Sequence, residues 1–220
     1  MKPIIHNNSI PLATLKFILI SSFFCFSFIS FRVLYTQSIY FLFLVWNLVL
    51  AFIPLGISSY ILGHPKLKKP FVLILLIVWL LFLPNAPYII TDFIHLQRSH
   101  TAFIWLDVLV IGSFAFVGLT AFYLSISNFK VIIATHFKVK LLKPLLVLIY
   151  FLCGFGIYLG RYLRFNSWDI ISHPKQLLFY IIDISIINVD KNMYVYTFFF
   201  GSVLWASHIL LDQIRSMTSH

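Results

Sequence analysis

The sequence predicts an all-α, polytopic transmembrane bundle of about six spans. Three observations predict it. The chain has 220 residues, 61% of them hydrophobic and only 10% charged, where a soluble domain carries about 25% charged residues. So apolar a chain has too little polar surface to cover itself in water. Its apolar residues fall into runs close to the roughly 20 residues that cross a bilayer. Its lysines stand in short clusters between those runs, as topogenic charge does at a membrane surface.

The runs place the spans at approximately 12–31, 39–61, 71–83, 104–126, 141–163 and 195–214, within one integral-membrane domain, 1–220. Lys16 precedes the apolar core of the first, and no small-x-small site follows, so an uncleaved first span is expected. The second carries Asn47, Pro54 and Gly56. The third has only 13 clean apolar residues, Phe71 to Leu83. At 1.5 Å each they cover roughly 20 Å of an apolar layer about 30 Å thick, so it is expected to continue as a broken helix to 96. After the fifth span, QLLFYIIDISIINV (176–189) is too short to cross and carries Asp183. It reads as an interfacial or re-entrant helix.

The net charge is +10, from 16 Lys and Arg against six acids, all Asp. A nucleic-acid partner would need a solvated basic face with stacking groups, and the clusters do not form one. Counted by connection, Lys2, Lys16, Lys66, Lys68, Lys69, Lys130, Lys138, Lys140, Lys143 and Arg215 fall on one side. Arg32, Arg98, Arg161, Arg164, Lys175 and Lys191 fall on the other. This bias predicts both termini on the cytoplasmic side of a cell membrane. Cys25 and Cys153 lie inside apolar runs and read as small buried hydrophobes. No cofactor is implied: the sequence has no Walker or Rossmann glycine spacing, no HExxH and no GxSxG.

Polar residues concentrate in two stretches, both expected on the outer face. LPNAPYIITDFIHL (83–96) opens with two prolines. Pro84 is expected to end or kink the third helix, and Pro87 to bias Ala86 away from helical geometry. The amide of Asn85 is placed to satisfy a backbone group so freed. Beyond Pro87, Tyr88, Asp92, His95 and Ser99 fall on one face of an α-helical wheel. GRYLRFNSWDIISHP (160–174) carries Arg161, Arg164, Asn166, Trp168, Asp169 and His173. Two arginines at a helix C-terminus oppose its dipole, and they also suit a phosphate or carboxylate. Asp107 opens the fourth span. The two stretches are expected to build one polar niche. Candidate ligand-binding residues are Asn85, Tyr88, Asp92, His95, Asp107, Arg161, Arg164, Asn166, Trp168 and Asp169; candidate catalytic groups are Asp92, His95 and Asp169. No metal is expected, since Asp92, His95, Asp169 and His173 give only a loose ligand spacing. An Asp–Arg staple needs no ligand at all.

The pair LPNAPYIITDFIHL and GRYLRFNSWD resembles an uncharacterised family of prokaryotic multi-spanning membrane proteins, the domain of unknown function with serial 1361. The resemblance covers roughly the third span through the sixth. It implies a helical fold in the cell membrane and singles out Pro84, Asn85, Pro87, Tyr88, Asp92, His95, Arg161, Arg164, Asn166, Trp168 and Asp169; it implies no activity. His173 lies outside its pattern. Three functions are weighed: binding or transport of an anionic small molecule or lipid headgroup, with a homodimer expected for a transporter this short; an enzyme acting on a lipid-linked substrate at the outer interface; and a structural or assembly protein without a ligand.

Overall fold

The computed structural model describes residues 12–99, 101–137, 141–165 and 167–218. Among them there are helices and connections and no strand. Six helical segments are long and apolar enough to cross a membrane: Leu12–Thr36, Tyr40–Gly63, Lys69–Arg98, Ile104–Phe137, Leu142–Tyr162 and Lys191–Ile214. Their outward faces are studded with exposed large apolar side chains, among them Phe23, Trp46, Ile74, Phe116, Leu148 and Phe198. Water would not tolerate such a surface and lipid does. The protein is a multi-pass membrane protein. The chain divides into two compact units, 1–140 and 141–220.

The first unit contains four of the spans. Helix α1 (Leu12–Thr36) buries one narrow face, Ser21, Cys25, Ile29 and Arg32, at the four- and three-residue steps of an α-helical stripe. Helix α2 (Phe43–Gly63) packs on α3 (Lys69–Phe82) and on α5 (Ile104–Ile132). Apolar contact drives little helix association in lipid, where tails are as apolar as leucine, so interhelical hydrogen bonds weigh more. One such cluster joins three helices. Trp79 Nε1 donates to Ser125 Oγ at 2.7 Å, Ser58 and Ser125 hydroxyls lie 3.2 Å apart, and Asn128 Nδ2 donates to Ser58 and Ser59 at 3.2 and 3.1 Å. The Trp79 ring stacks on Phe129 at 4.6 Å.

The third span changes character at its prolines, though less sharply than the sequence suggests. Leu83 and Pro84 keep right-handed helical dihedrals, and Asn85–Tyr88 forms one further α-turn, α4. Ala86 is therefore helical despite the following proline. The bonding adapts instead. Pro87 has no N–H for the Leu83 carbonyl, and Ala86 N–H takes that acceptor at 3.3 Å. The carbonyl of Phe82, thereby released, accepts from Asn85 Nδ2 at 2.9 Å, the role expected of that amide. A ten-residue 3-10 helix, Ile89–Arg98, follows. Its period is 3.0, so the α-helical wheel drawn from the sequence does not apply here. The face facing inward is Leu83, Ala86, Ile89 and Asp92, each at most 1% exposed.

The second unit holds α6 (Leu142–Tyr162), the short helices α7 (Asp169–Ser172) and α8 (Pro174–Ile182), and α9 (Lys191–Thr218). Between α8 and α9 the chain closes in a π-turn at Asp183–Ile187. Helices α6 and α9 approach closely because each offers a glycine. A Cβ on Gly154 would stand 2.5 Å from the Thr197 carbonyl oxygen, and one on Gly201 would stand 2.6 Å from the Phe151 ring. Tyr158 donates to Asp190 at the mouth of α9, and Asp190 also accepts from Asn192 N–H at 2.8 Å. Met193, Ile184 and Tyr158 make the small core beneath.

Candidate functional site

Each of the two units carries a polar constellation of residues singled out from the sequence. The first lies in the first unit and is built on the 3-10 helix. At three residues per turn, Asp92, His95 and Arg98 line one edge, running from buried to exposed. Asp92 is 1% exposed. Its Oδ2 accepts from Asn47 Nδ2 of α2 at 2.8 Å, and its Oδ1 lies 3.9 Å from His95 Nε2. His95 Nδ1 is 3.0 Å from the hydroxyl of Tyr40, in the 3-10 turn Tyr40–Leu42, and Arg98 reaches the same hydroxyl at 3.5 Å. The His95 ring also packs edge-on to Phe43 at 4.9 Å. Backbone packing fixes this edge in place. Gly118 of α5 lies so close that a Cβ there would stand 2.7 Å from the Ala86 carbonyl oxygen. Only glycine admits α4 to that groove.

Close by in sequence, Asp107 opens α5 and is also 1% exposed. Its Oδ1 accepts from Arg32 Nε at 2.9 Å. Arg32, 5% exposed, donates from Nη1 to the Ser38 carbonyl at 2.6 Å and lies over the Phe41 ring at 4.7 Å. The other Asp107 oxygen, Oδ2, is buried with no hydrogen-bond partner among the described residues. Asp107 thus belongs to an ion pair that joins α1 to α5. The charge count assigned Arg32 to a connection; it is inside α1 and nearly fully buried. The signal that finds it is the desolvation rule: an arginine so near membrane depth demands a carboxylate.

The second constellation lies in the second unit. Helix α6 ends at Tyr162, and Arg164 two residues on has φ 56°, a left-handed conformation in which glycine is usual. Phe165 N–H turns back to the Leu159 carbonyl at 3.2 Å. The chain then wraps an open cavity of about 390 Å³ lined by Tyr162, Leu163, Arg164, Phe165, Asp169, His173, Gln176 and Tyr180. Arg164 is exposed and the Asp169 carboxylate half-buried, with His173 Nδ1 4.0 Å from Asp169 Oδ1. Phe165 and Tyr180 rings, 5.7 Å apart, form an aromatic wall. Arg161 sits half-buried in the last turn of α6, where its charge favours the helix end. Trp168 is 37% exposed, and Asn166 lies outside the described residues.

Of the sequence candidates, Asn85, Tyr88, Asp92, His95 and Asp107 therefore belong to the first unit, and Arg161, Arg164, Trp168 and Asp169 to the second. Asn85 serves the backbone. Missed were Tyr40, Asn47 as the partner of Asp92, and the pocket residues Gln176 and Tyr180. No group of three His, Cys, Asp or Glu side chains among the described residues is arranged to hold a metal ion.

No curated protein and no solved structure matches the chain. The model of one family, described as protein of unknown function (DUF1361), matches residues 46–206. That stretch spans well over half of the chain and includes both constellations apart from Arg32, Ser38, Tyr40, Phe41 and Phe43. The chain belongs to the DUF1361 family, whose function is unknown.

Proposed function

We propose that this membrane protein binds an anion, either a free anionic solute or the headgroup of an anionic lipid, in the cavity that follows α6. One observation carries the reading: an arginine in left-handed backbone geometry lines an open, partly aromatic cavity at the end of a membrane-length helix. A left-handed non-glycine residue stores of order 1 to 3 kcal/mol of strain, and such strain concentrates at ligand clamps. Guanidinium is a fork of donors suited to phosphate or carboxylate. Gln176 adds a neutral donor. Asp169 on the same wall disfavours a bare anion close to it and orients one toward Arg164. The charge bias of the connections supports an outward-facing cavity in a cell membrane with both termini cytoplasmic.

The test is thermal unfolding of purified protein in a zwitterionic nanodisc. Inorganic phosphate is titrated in one arm, and an anionic phospholipid is added to the disc in the other. Stabilisation in either arm that disappears in Arg164→Ala supports the reading, and the arm that responds identifies the source of the anion. Stabilisation that persists unchanged in Arg164→Ala, or no response in either arm, overturns it.

A further inference from the structure

The anion cavity leaves unused the buried carboxylate of the first unit. Carboxylates within a membrane span are costly, and they mark ion or proton pathways. Asp92 ends a chain ordered by burial: Arg98 is exposed, Tyr40 and His95 half-buried, and Asp92 1% exposed. We infer that His95 and Asp92 form a proton-loading pair, in which His95 receives a proton on Nδ1 from the Tyr40 side and passes the proton on Nε2 to Asp92 Oδ1.

The proposed transfer starts from one tautomer, which the contacts accommodate. Guanidinium has donors only, so at Arg98 the Tyr40 oxygen accepts. The Tyr40 O–H is then free to donate to His95 Nδ1 at 3.0 Å. In that arrangement neutral His95 holds its proton on Nε2, the nitrogen nearer Asp92. The Asn47 amide donates to Oδ2 of the carboxylate, and Oδ1 is 3.9 Å from Nε2 of the imidazole.

The step balances simply. A proton from water forms an N–H bond at Nδ1, giving an imidazolium. The Nε2–H bond breaks, and an O–H bond forms on Oδ1. The carboxylate becomes neutral and the ring is left neutral with its proton on Nδ1. The reverse sequence unloads the pair: the O–H bond on Oδ1 breaks, an Nε2–H bond forms, and the proton on Nδ1 returns to water. At 3.9 Å, Nε2 is beyond hydrogen-bond reach of Oδ1, so transfer requires the imidazole to swing inward. That swing makes loading a gated event.

The elements packed against the 3-10 helix carry few competing groups. Helix α2 carries Tyr60 and no charged residue, and α4 carries Tyr88. Helix α5 carries Asp107, already paired with Arg32, together with Tyr123 and Lys130.

Full-length protein in zwitterionic nanodiscs tests the inference by two readouts. After an acid jump, infrared difference spectra report formation of a protonated carboxylic acid. Nitrogen NMR of labelled histidine reports the His95 tautomer. The inference predicts an acid band in the wild type that is absent in Asp92→Asn and forms about 100-fold more slowly in His95→Gln. It also predicts an Nε2-protonated His95 at alkaline pH, and a mixture of tautomers in Tyr40→Phe. A band that forms equally fast in His95→Gln overturns it. So does a wild-type His95 protonated on Nδ1, or a Tyr40→Phe spectrum identical to wild type. The wild-type and Tyr40→Phe tautomers decide the matter even where Asp92→Asn does not fold.

Discussion

Replacing Arg32 by Met should destabilise the first unit more than replacing Asp107 by Leu, and the two changes together should restore most of the loss. The asymmetry follows from the partners each group keeps. Arg32 has the Asp107 carboxylate, the Ser38 carbonyl at 2.6 Å and the Phe41 ring at 4.7 Å. Asp107 has the Arg32 guanidinium on Oδ1 and a buried Oδ2 with no partner among the described residues. Without Arg32, a carboxylate that is 1% exposed keeps no counter-charge. Breaking a buried pair from that side carries the full penalty of about 3 to 5 kcal/mol. Without Asp107, the guanidinium retains a hydrogen bond and a ring, which places the loss at about 1 to 3 kcal/mol. In Arg32→Met with Asp107→Leu, no charge is buried, and a buried ion pair replaced by apolar groups is often neutral or better. The double variant should lie within about 1 kcal/mol of wild type. Reversible unfolding in mixed micelles of mild detergent and dodecyl sulfate measures all four proteins. Arg32→Met alone should change the unfolding equilibrium by about 100-fold or more, since about 1.4 kcal/mol is tenfold. A double variant as unstable as Arg32→Met, or an Asp107→Leu variant less stable than Arg32→Met, would refute the reasoning.

Three further outcomes are expected. Gly118→Ala should lower stability by about 1 to 3 kcal/mol, because its Cβ would lie 2.7 Å from a backbone oxygen of α4 that has no rotamer to yield; unfolding in the same micelles checks it. Gly154→Ala should push α6 and α9 apart by the same logic, with Thr197 O only 2.5 Å away, and a crosslink between cysteines placed on the two helices should form less readily. The Tyr158 hydroxyl, with the Asn192 N–H, holds the Asp190 carboxyl below its ordinary value of 3.8. A carboxyl lowered in the folded state adds stability above the unfolded value, and that stability is lost as pH falls through the folded value. Wild type should therefore lose stability faster than Tyr158→Phe on acidification below about pH 4, and identical acid limbs for the two would dismiss the bond as a contributor.

The six spans were legible because lipid imposes one requirement on length and apolarity, and the apolar runs meet it. The details that were not legible share a cause: they depend on what the backbone does with a missing donor. A proline pair reads as a break, yet here the helix passes through it, because Ala86 N–H and the Asn85 amide take over the freed carbonyls. A 3.6-residue wheel groups Tyr88 with Asp92, while the true period of three groups Leu83, Ala86, Ile89 and Asp92, then His95 and Arg98. That spacing of apolar, buried acid, histidine and arginine is present in the sequence, but nothing local announces a 3-10 helix of ten residues. Arg164 was visible as an anion-binding candidate from its charge. Its left-handed backbone and the aromatic wall of Phe165 and Tyr180 were not, since they arise only when α8 folds back toward the end of α6. Asn47 stands out in the sequence as a polar residue within an apolar span; its acceptor, Asp92, could not be chosen from sequence among the candidates.

Equilibrium binding of a fluorescent anionic phospholipid to the protein in zwitterionic discs, read against inorganic phosphate as competitor, tests the anion cavity most directly. Wild type should bind saturably, Arg164→Lys more weakly because it keeps the charge without the fork, and Arg164→Ala not measurably. Equal binding by wild type and Arg164→Ala, or binding by neither, would contradict the account.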